Sequence, residues 1–216
     1  MNSTHEVFNQ PAALSDYNLF DTNRPLRDAL KFNAPALDTA QLSQLGVALG
    51  SSAMQTHARL ANVHGPVLHS HDRFGRRVDQ VEFHPSYHAL MRLATGAGLH
   101  GTPWGSPHPN PLPGGEGTRG EAASADLAQP ENGTNSSNSL PLPLGEGRGE
   151  GSPHVARAAG FMLFTELEPS TLCPISMTYA ATPALRGNTA IYADWGPKLV
   201  SRSYDPELKP WQAKAG

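Results

Sequence analysis

Between Ser106 and Gly151 the chain has no aromatic residue, no isoleucine and no valine, and roughly a third of it is glycine or proline. A stretch of that composition has too little apolar surface to offset the entropy of ordering it, so it is expected to be disordered. It also repeats itself: Pro111–Glu121 and Pro141–Glu150 align with one gap at Thr118 and one mismatch, Gly114 against Leu144. The edges carry a second duplication, "SPH" at Ser106–His108 and again at Ser152–His154. Joining Gly105 to Ser152 gives "TPWGSPHVARAAGFML", a sequence without a break in character. The segment therefore reads as a low-complexity insertion, a mobile DNA repeat translated in frame. A functional alternative is a proline-rich ligand, since "NPLP" and "LPLPL" suit polyproline II and an SH3-like or WW-like groove. Any folded core must come from two separated pieces, 1–105 and 152–216.

Both pieces follow the grammar of helices. "TNRPLRDALKFN" offers Thr22 or Asn23 as a cap, Pro25 in the first turn, and Leu26, Ala29 and Leu30 on one face. "DTAQLSQLGVALG" places Leu42, Leu45 and Leu49 at helical spacing behind Asp38 or Thr39, with Gly46 as a weak point and Gly50 as a stop. "SSAMQTHARLANVHGP" is a third capped helix closed by Gly65-Pro66. The period then changes. "VLHSHDRFGRRVDQVEF" sets Val78, Val81 and Phe83 among charges, and Gly75 in "DRFGR" is expected at positive φ, which predicts a small hairpin. "HPSYHALMRLAT" returns to a helix with Tyr87, Leu90, Met91 and Ala94 as its buried stripe. "HVARAAGFMLFTELE", "STLCPISMTYAATPAL", interrupted or begun around Pro174, and a short helix in "IYADWGPKLVSRSYDPELKP" complete a mainly α fold with one small β excursion.

Charge and cysteine content narrow the function classes. A formal charge of -3 gives no reason to expect a polyanionic partner, so the chain is not expected to bind DNA. The single cysteine, Cys173, forms no internal disulfide, which suits a reducing compartment. The N-terminal residues lack the basic start and apolar core of a signal peptide, and no run has the roughly 18 apolar residues of a membrane span. A cytoplasmic protein without membrane contact is expected.

Candidate chemistry is sparse. His84 and His88 stand four apart, a spacing that sets two metal ligands on one helix face, but Pro85 occupies the place where a zinc-protease motif needs glutamate. A capping His84 and a packed His88 are the plainer reading. "HSHD", His69–Asp72, reads as a polar turn before a metal loop, and Arg73, Arg76 and Arg77 read as a solvated charged turn beside Asp72, Asp79 and Glu82. Cys173 has no neighbouring base and reads as a buried structural thiol. Glu166 and Glu168 lie against an apolar helix, with Glu166 on its solvent side. The sequons at Asn132 and Asn135 carry little without secretion.

Four separated blocks carry a resemblance: "VFNQP" (Val7–Pro11), Arg59–Met91, "HVARAAGFML" (His154–Leu163) and "LCPISMTYAATPAL" (Leu172–Leu185). Together they resemble, in order, the N-terminal part of the AidB-type branch of the acyl-CoA dehydrogenase family. "DWGPKLVSRSYDPEL" (Asp194–Leu208) resembles the family's segment leading out of that helical domain. The resemblance implies an FAD-containing, cytoplasmic homotetramer of the DNA-alkylation response, with weak dehydrogenase activity toward acyl-CoA substrates such as isovaleryl-CoA. It covers only the family's first third, so the chain is expected to stop before the flavin-binding β-domain and the catalytic glutamate. Hence no catalytic, cofactor-binding or metal residue is assigned, and no FAD is expected on this chain alone. The resemblance implies that the helix around Met177, Thr178 and Tyr179 faces the substrate side of the flavin cleft in a complete protein, although core packing explains its apolar spacing equally well. An interaction module, or the inactive product of a disrupted gene, are the alternatives.

Overall fold

The computed structural model describes Thr4, Glu6 and residues 8–105 and 152–214. The insertion expected at 106–151, its sequons and Val7 of the first family block lie outside the described residues. The first piece forms α1 (Leu19–Thr22), α2 (Arg24–Asn33), α3 (Ala40–Gly50), α4 (Ser52–Val63), β1 (Val67–His71), β2 (Arg77–Glu82), α5 (Pro85–Gly96) and α6 (Thr102–Gly105). The second forms α7 (Ser152–Leu167), α8 (Leu172–Arg186), α9 (Thr189–Leu199) and a short 3-10 turn at Trp211–Ala213.

Local chemistry starts these helices where the sequence places them. Asn23 accepts a hydrogen bond from the Leu26 amide with Pro25 in the first turn of α2, and Ser51 accepts from Met54 at the start of α4. At α3 both cap candidates contribute. Thr39 holds the cap position without a side-chain bond, while Asp38 Oδ1 accepts from the Ala40 amide at 2.9 Å. α1 is not apparent from periodicity, because four residues hold little more than one turn. It exists because Asn18 accepts from the amides of Phe20 and Asp21 and because Leu19 and Phe20 are buried.

The core lies between α3 and α7. Leu42, Leu45 and Leu49 of α3 meet Leu163 and Phe164 of α7, and Leu26, Leu90 and Ile175 close the cluster from α2, α5 and α8. Gly50 ends α3 as the sequence predicts, and Gly46 and Gly50 are also packing notches. A Cβ on Gly50 would stand 1.8 Å from the Tyr17 carbonyl oxygen, and one on Gly46 2.3 Å from Asn18 Oδ1. The backbone leading into α1 thus rides directly on α3, and only glycine permits that approach. In α5, Leu90, Met91 and Ala94 are buried as the stripe requires, whereas Tyr87 is half-buried.

β1 and β2 pair antiparallel, with Val67 opposite Glu82 and His69 opposite Gln80, and Gly75 takes φ 76° in the turn. The register slips between His69 and His71, where Asp79 adopts φ 45° on the other strand. All residues of both strands are exposed, so the ribbon stands off the helical body.

Candidate functional site

The side of the molecule where α6, α7 and α8 meet gathers the densest group of rings and cations. Tyr179, midway along α8, is its centre. Trp104 Nε1 donates to the Tyr179 carbonyl at 2.9 Å, and the Tyr179 hydroxyl lies 2.6 Å from His154 Nδ1. The Arg157 guanidinium sits 3.9 Å from the Tyr179 ring centroid and 4.7 Å from that of Phe161, while its Nε donates to the Leu99 carbonyl at 2.9 Å. Arg186 closes the far side, donating to the Trp104 carbonyl at 2.8 Å with its guanidinium over the Trp104 ring. Burial pushes the Arg157 pKa down from its ordinary value, and the nearby Tyr179 acts in the opposite sense. Among the described residues no carboxylate forms a salt bridge with Arg157, so the rings supply its compensation. The arrangement holds and positions: it fixes α6 against α8 through donors, cations and π-faces.

Of this group the sequence singles out only Tyr179. Trp104 and His154 carry a usable signal, since they stand just outside the two ends of the proline-rich segment. Arg157 lies within the His154–Leu163 family block, and Arg186 carries no signal beyond its place on a helix. On α8 the exposed face holds Cys173, Met177, Ala180 and Ala184, spaced at helical intervals, and Met177 is 68 % exposed. Cys173 is therefore not the buried thiol that its sequence neighbourhood predicts. It lies on the outer side of the helix, with Leu172 and Ile175 taking the core positions.

The other candidates stay apart. His84 accepts from the Ser86 amide through Nδ1 at 3.1 Å and caps α5, while His88 turns to the Tyr204 hydroxyl at 2.8 Å. Among the described residues no group of three histidine, cysteine, aspartate or glutamate side chains can hold a metal ion. His69 and His71 belong to β1 rather than to a turn, and His69 Nε2 lies 2.7 Å from Glu82 Oε2. Arg73 and Arg76 lie over the Phe74 ring, and Arg77 pairs with Asp79 at 2.6 Å. Glu166 faces solvent, accepting from Asn23 Nδ2 at 2.8 Å. A separate cleft of about 420 Å³ lies between the segment before α1, α4 and the end of α7, with Leu19 and Leu49 among its apolar lining and Arg59, Asn62 and Glu166 among its polar lining.

Comparison with known proteins decides the family. The family described as the adaptive response protein AidB N-terminal domain matches residues 9–141 and 143–206. This chain belongs to that family. It is 34% identical over 214 residues to the Escherichia coli (strain K12) protein "Putative acyl-CoA dehydrogenase AidB", a match that takes in 99% of this chain and 32% of the relative. The chain thus spans about a third of the curated AidB it matches. The fold is similar to that in the crystal structure of Caenorhabditis elegans ACDH-11 in complex with C11-CoA, with TM-score 0.62 and 17% identity over 93% of this chain and 29% of that one. It is also similar to the apo-form of Bd2924, with TM-score 0.64 and 22% identity over 91% of this chain and 32% of that one. Among the described residues of this AidB N-terminal domain, no helix is long and apolar enough to cross a membrane.

The α2, α3, α4, α5, α8 and α9 starts are occupied by Asn23, Thr39, Ser51, His84, Thr171 and Asn188, with no glycine-rich turn to receive a pyrophosphate. The cleft beside α4 has a volume at the small end of the ligand-pocket range, about 300–1,000 Å³.

Proposed function

We propose that this chain forms the helical N-terminal part of an FAD-dependent acyl-CoA dehydrogenase-like protein of the DNA-alkylation response. It walls one side of a flavin site whose other sides come from a β-domain and a further helical domain. The observation that carries this reading is the AidB N-terminal match over residues 9–141 and 143–206, together with 34% identity along 99% of the chain. The outward stripe of Cys173, Met177 and Ala180 supports it, because an apolar helix face is stable in water only at a cost that a packed neighbour removes. In the complete cytoplasmic homotetramer this reading assigns flavin chemistry and the α-proton base to residues beyond this chain. The chain's own residues shape and orient: Arg157 and Trp104 hold Tyr179, and Tyr179 fixes the α8 face. Residues 1–105 and 152–216 form that domain, and 106–151 is an insertion within it.

A chimera tests the reading. Replacing the N-terminal third of E. coli AidB by this chain is expected to yield a soluble protein that retains FAD and reduces a dye acceptor with isovaleryl-CoA. A folded chimera without flavin would show that the helices do not serve as the wall.

A further inference from the structure

The cleft beside α4 has a wall that is pinned in place, the segment before α1. The Asp16 amide donates to the Gly50 carbonyl at 2.7 Å, Asp16 Oδ1 accepts from the Ser52 amide at 2.8 Å, and Gln55 Nε2 donates to the Leu14 carbonyl at 2.9 Å. The facing wall is one side of α4, since Gln55, Ala58, Arg59 and Asn62 stand at i, i+3, i+4 and i+7. Glu166 closes the cleft from the end of α7. Its floor is hydrocarbon: Leu19, Leu49 and Ala58 are all buried.

Two opposite charges line this cleft without touching each other. Among the described residues neither Arg59 nor Glu166 forms a salt bridge. Glu166 accepts from Asn23 Nδ2 through Oε1, which leaves Oε2 as an acceptor. Asn62 Nδ2 donates to the Ala58 carbonyl and to Glu168, so the side-chain oxygen is what Asn62 offers a ligand. A guanidinium matches a carboxylate, with which it can form two parallel hydrogen bonds. The Glu166 and Asn62 oxygens match an ammonium. A simple anion would meet Arg59 but be repelled by Glu166, and a simple cation the reverse, so a ligand carrying both charges fits best. An α-amino acid holds its two charges close together and can lie between two side chains that do not meet. The volume of about 420 Å³ suits a molecule of that size, and the floor suits an aliphatic side chain.

We propose that this cleft binds a free α-amino acid with an aliphatic side chain, its carboxylate on Arg59, its ammonium on Glu166 and the Asn62 side-chain oxygen, and its hydrocarbon on Leu19 and Leu49. The site shares no residue with the Tyr179 cluster, and it stands independently of the flavin reading.

Nuclear magnetic resonance titration of the full chain with L-leucine tests it, following the amides of 14–19, 55–62 and 166–167. Saturable shifts confined to these residues are expected, with a Kd of about 1 mM or tighter. On the unmodified chain 4-methylpentanoate, which lacks the ammonium, 3-methylbutylamine, which lacks the carboxylate, and glycine, which lacks the aliphatic group, are each expected to bind about tenfold or more weakly. Arg59→Gln should weaken leucine by a similar factor and leave 3-methylbutylamine unaffected. Glu166→Gln should weaken leucine and strengthen 4-methylpentanoate, because a repelling charge is gone. The three analogues alone decide the matter if either variant fails to fold. No saturable shift at about 10 mM leucine, 4-methylpentanoate or 3-methylbutylamine binding as tightly as leucine, or leucine binding unchanged in a folded Arg59→Gln variant would each overturn the proposal.

Discussion

Glu168 is 2% exposed, an unusual place for a carboxylate, and its oxygens are used up locally. Oε1 accepts from the Ser170 amide at 3.0 Å and from Asn62 Nδ2 at 3.3 Å, and Oε2 accepts from the Thr171 amide at 2.8 Å. It ties the α7–α8 turn at the start of α8, where the helix dipole also favours a negative charge. Burial alone would raise its pKa, but the bonds from Ser170 and Thr171 together outweigh it and hold the carboxyl below its ordinary value. Glu168→Ala is expected to cost about 2–3 kcal/mol in denaturant unfolding, since two turn amides lose their acceptors inside the protein. Glu168→Gln, which keeps one acceptor oxygen, should cost less. The lowered pKa means that its stabilisation is present above the ordinary 4.5 and fades as pH falls through the folded value, so the glutamine variant should show a flatter loss of stability in acid. Sequence places Glu168 beside an apolar helix but gives no sign of this role, because the acceptor geometry depends on how the turn folds back. Cys173 shows the same limit: an apolar neighbourhood in sequence does not say which side of a helix meets the core.

At the scale of elements, capping and periodicity are enough to find α2, α3, α4, α5 and the hairpin, because each rests on side chains within a few residues. α8 begins at Leu172, so Pro174 falls in its first turn, where a missing N–H is harmless, and Pro183 near the other end is tolerated inside it. α1 and the glycine notches of α3 are hidden, because both depend on a contact between segments some 30 residues apart. The junction between the two pieces is the most informative element. The rings of Trp104 and His154 meet edge to face with centroids 4.9 Å apart. Removing residues 106–151 would make them fourth neighbours, Trp104-Gly105-Ser152-Pro153-His154, which is the spacing of side chains that touch on a helix. The described structure thus already holds the two edges as a continuous chain would. Deleting 106–151 is expected to leave helix content and solubility unchanged or improved, as read by circular dichroism and gel filtration. Loss of the helical signal would mean that the segment is structural.

For the whole molecule, the fold class is readable from the sequence, since a mainly α body needs only amphipathic periods and stops. The site is less so. Tyr179 is found through its family block, but its partners come from three helices and include Trp104 and His154 on opposite sides of the proline-rich segment. Hydride transfer needs a held flavin and a placed carboxylate, and the buried Glu168 carboxylate is already engaged by the amides of Ser170 and Thr171. The most direct test is to purify the 216-residue chain, incubate it with excess FAD and record the visible spectrum of the protein peak after gel filtration. A colourless peak is expected; a yellow one with near-stoichiometric flavin would contradict the view that these helices wall a site they do not complete.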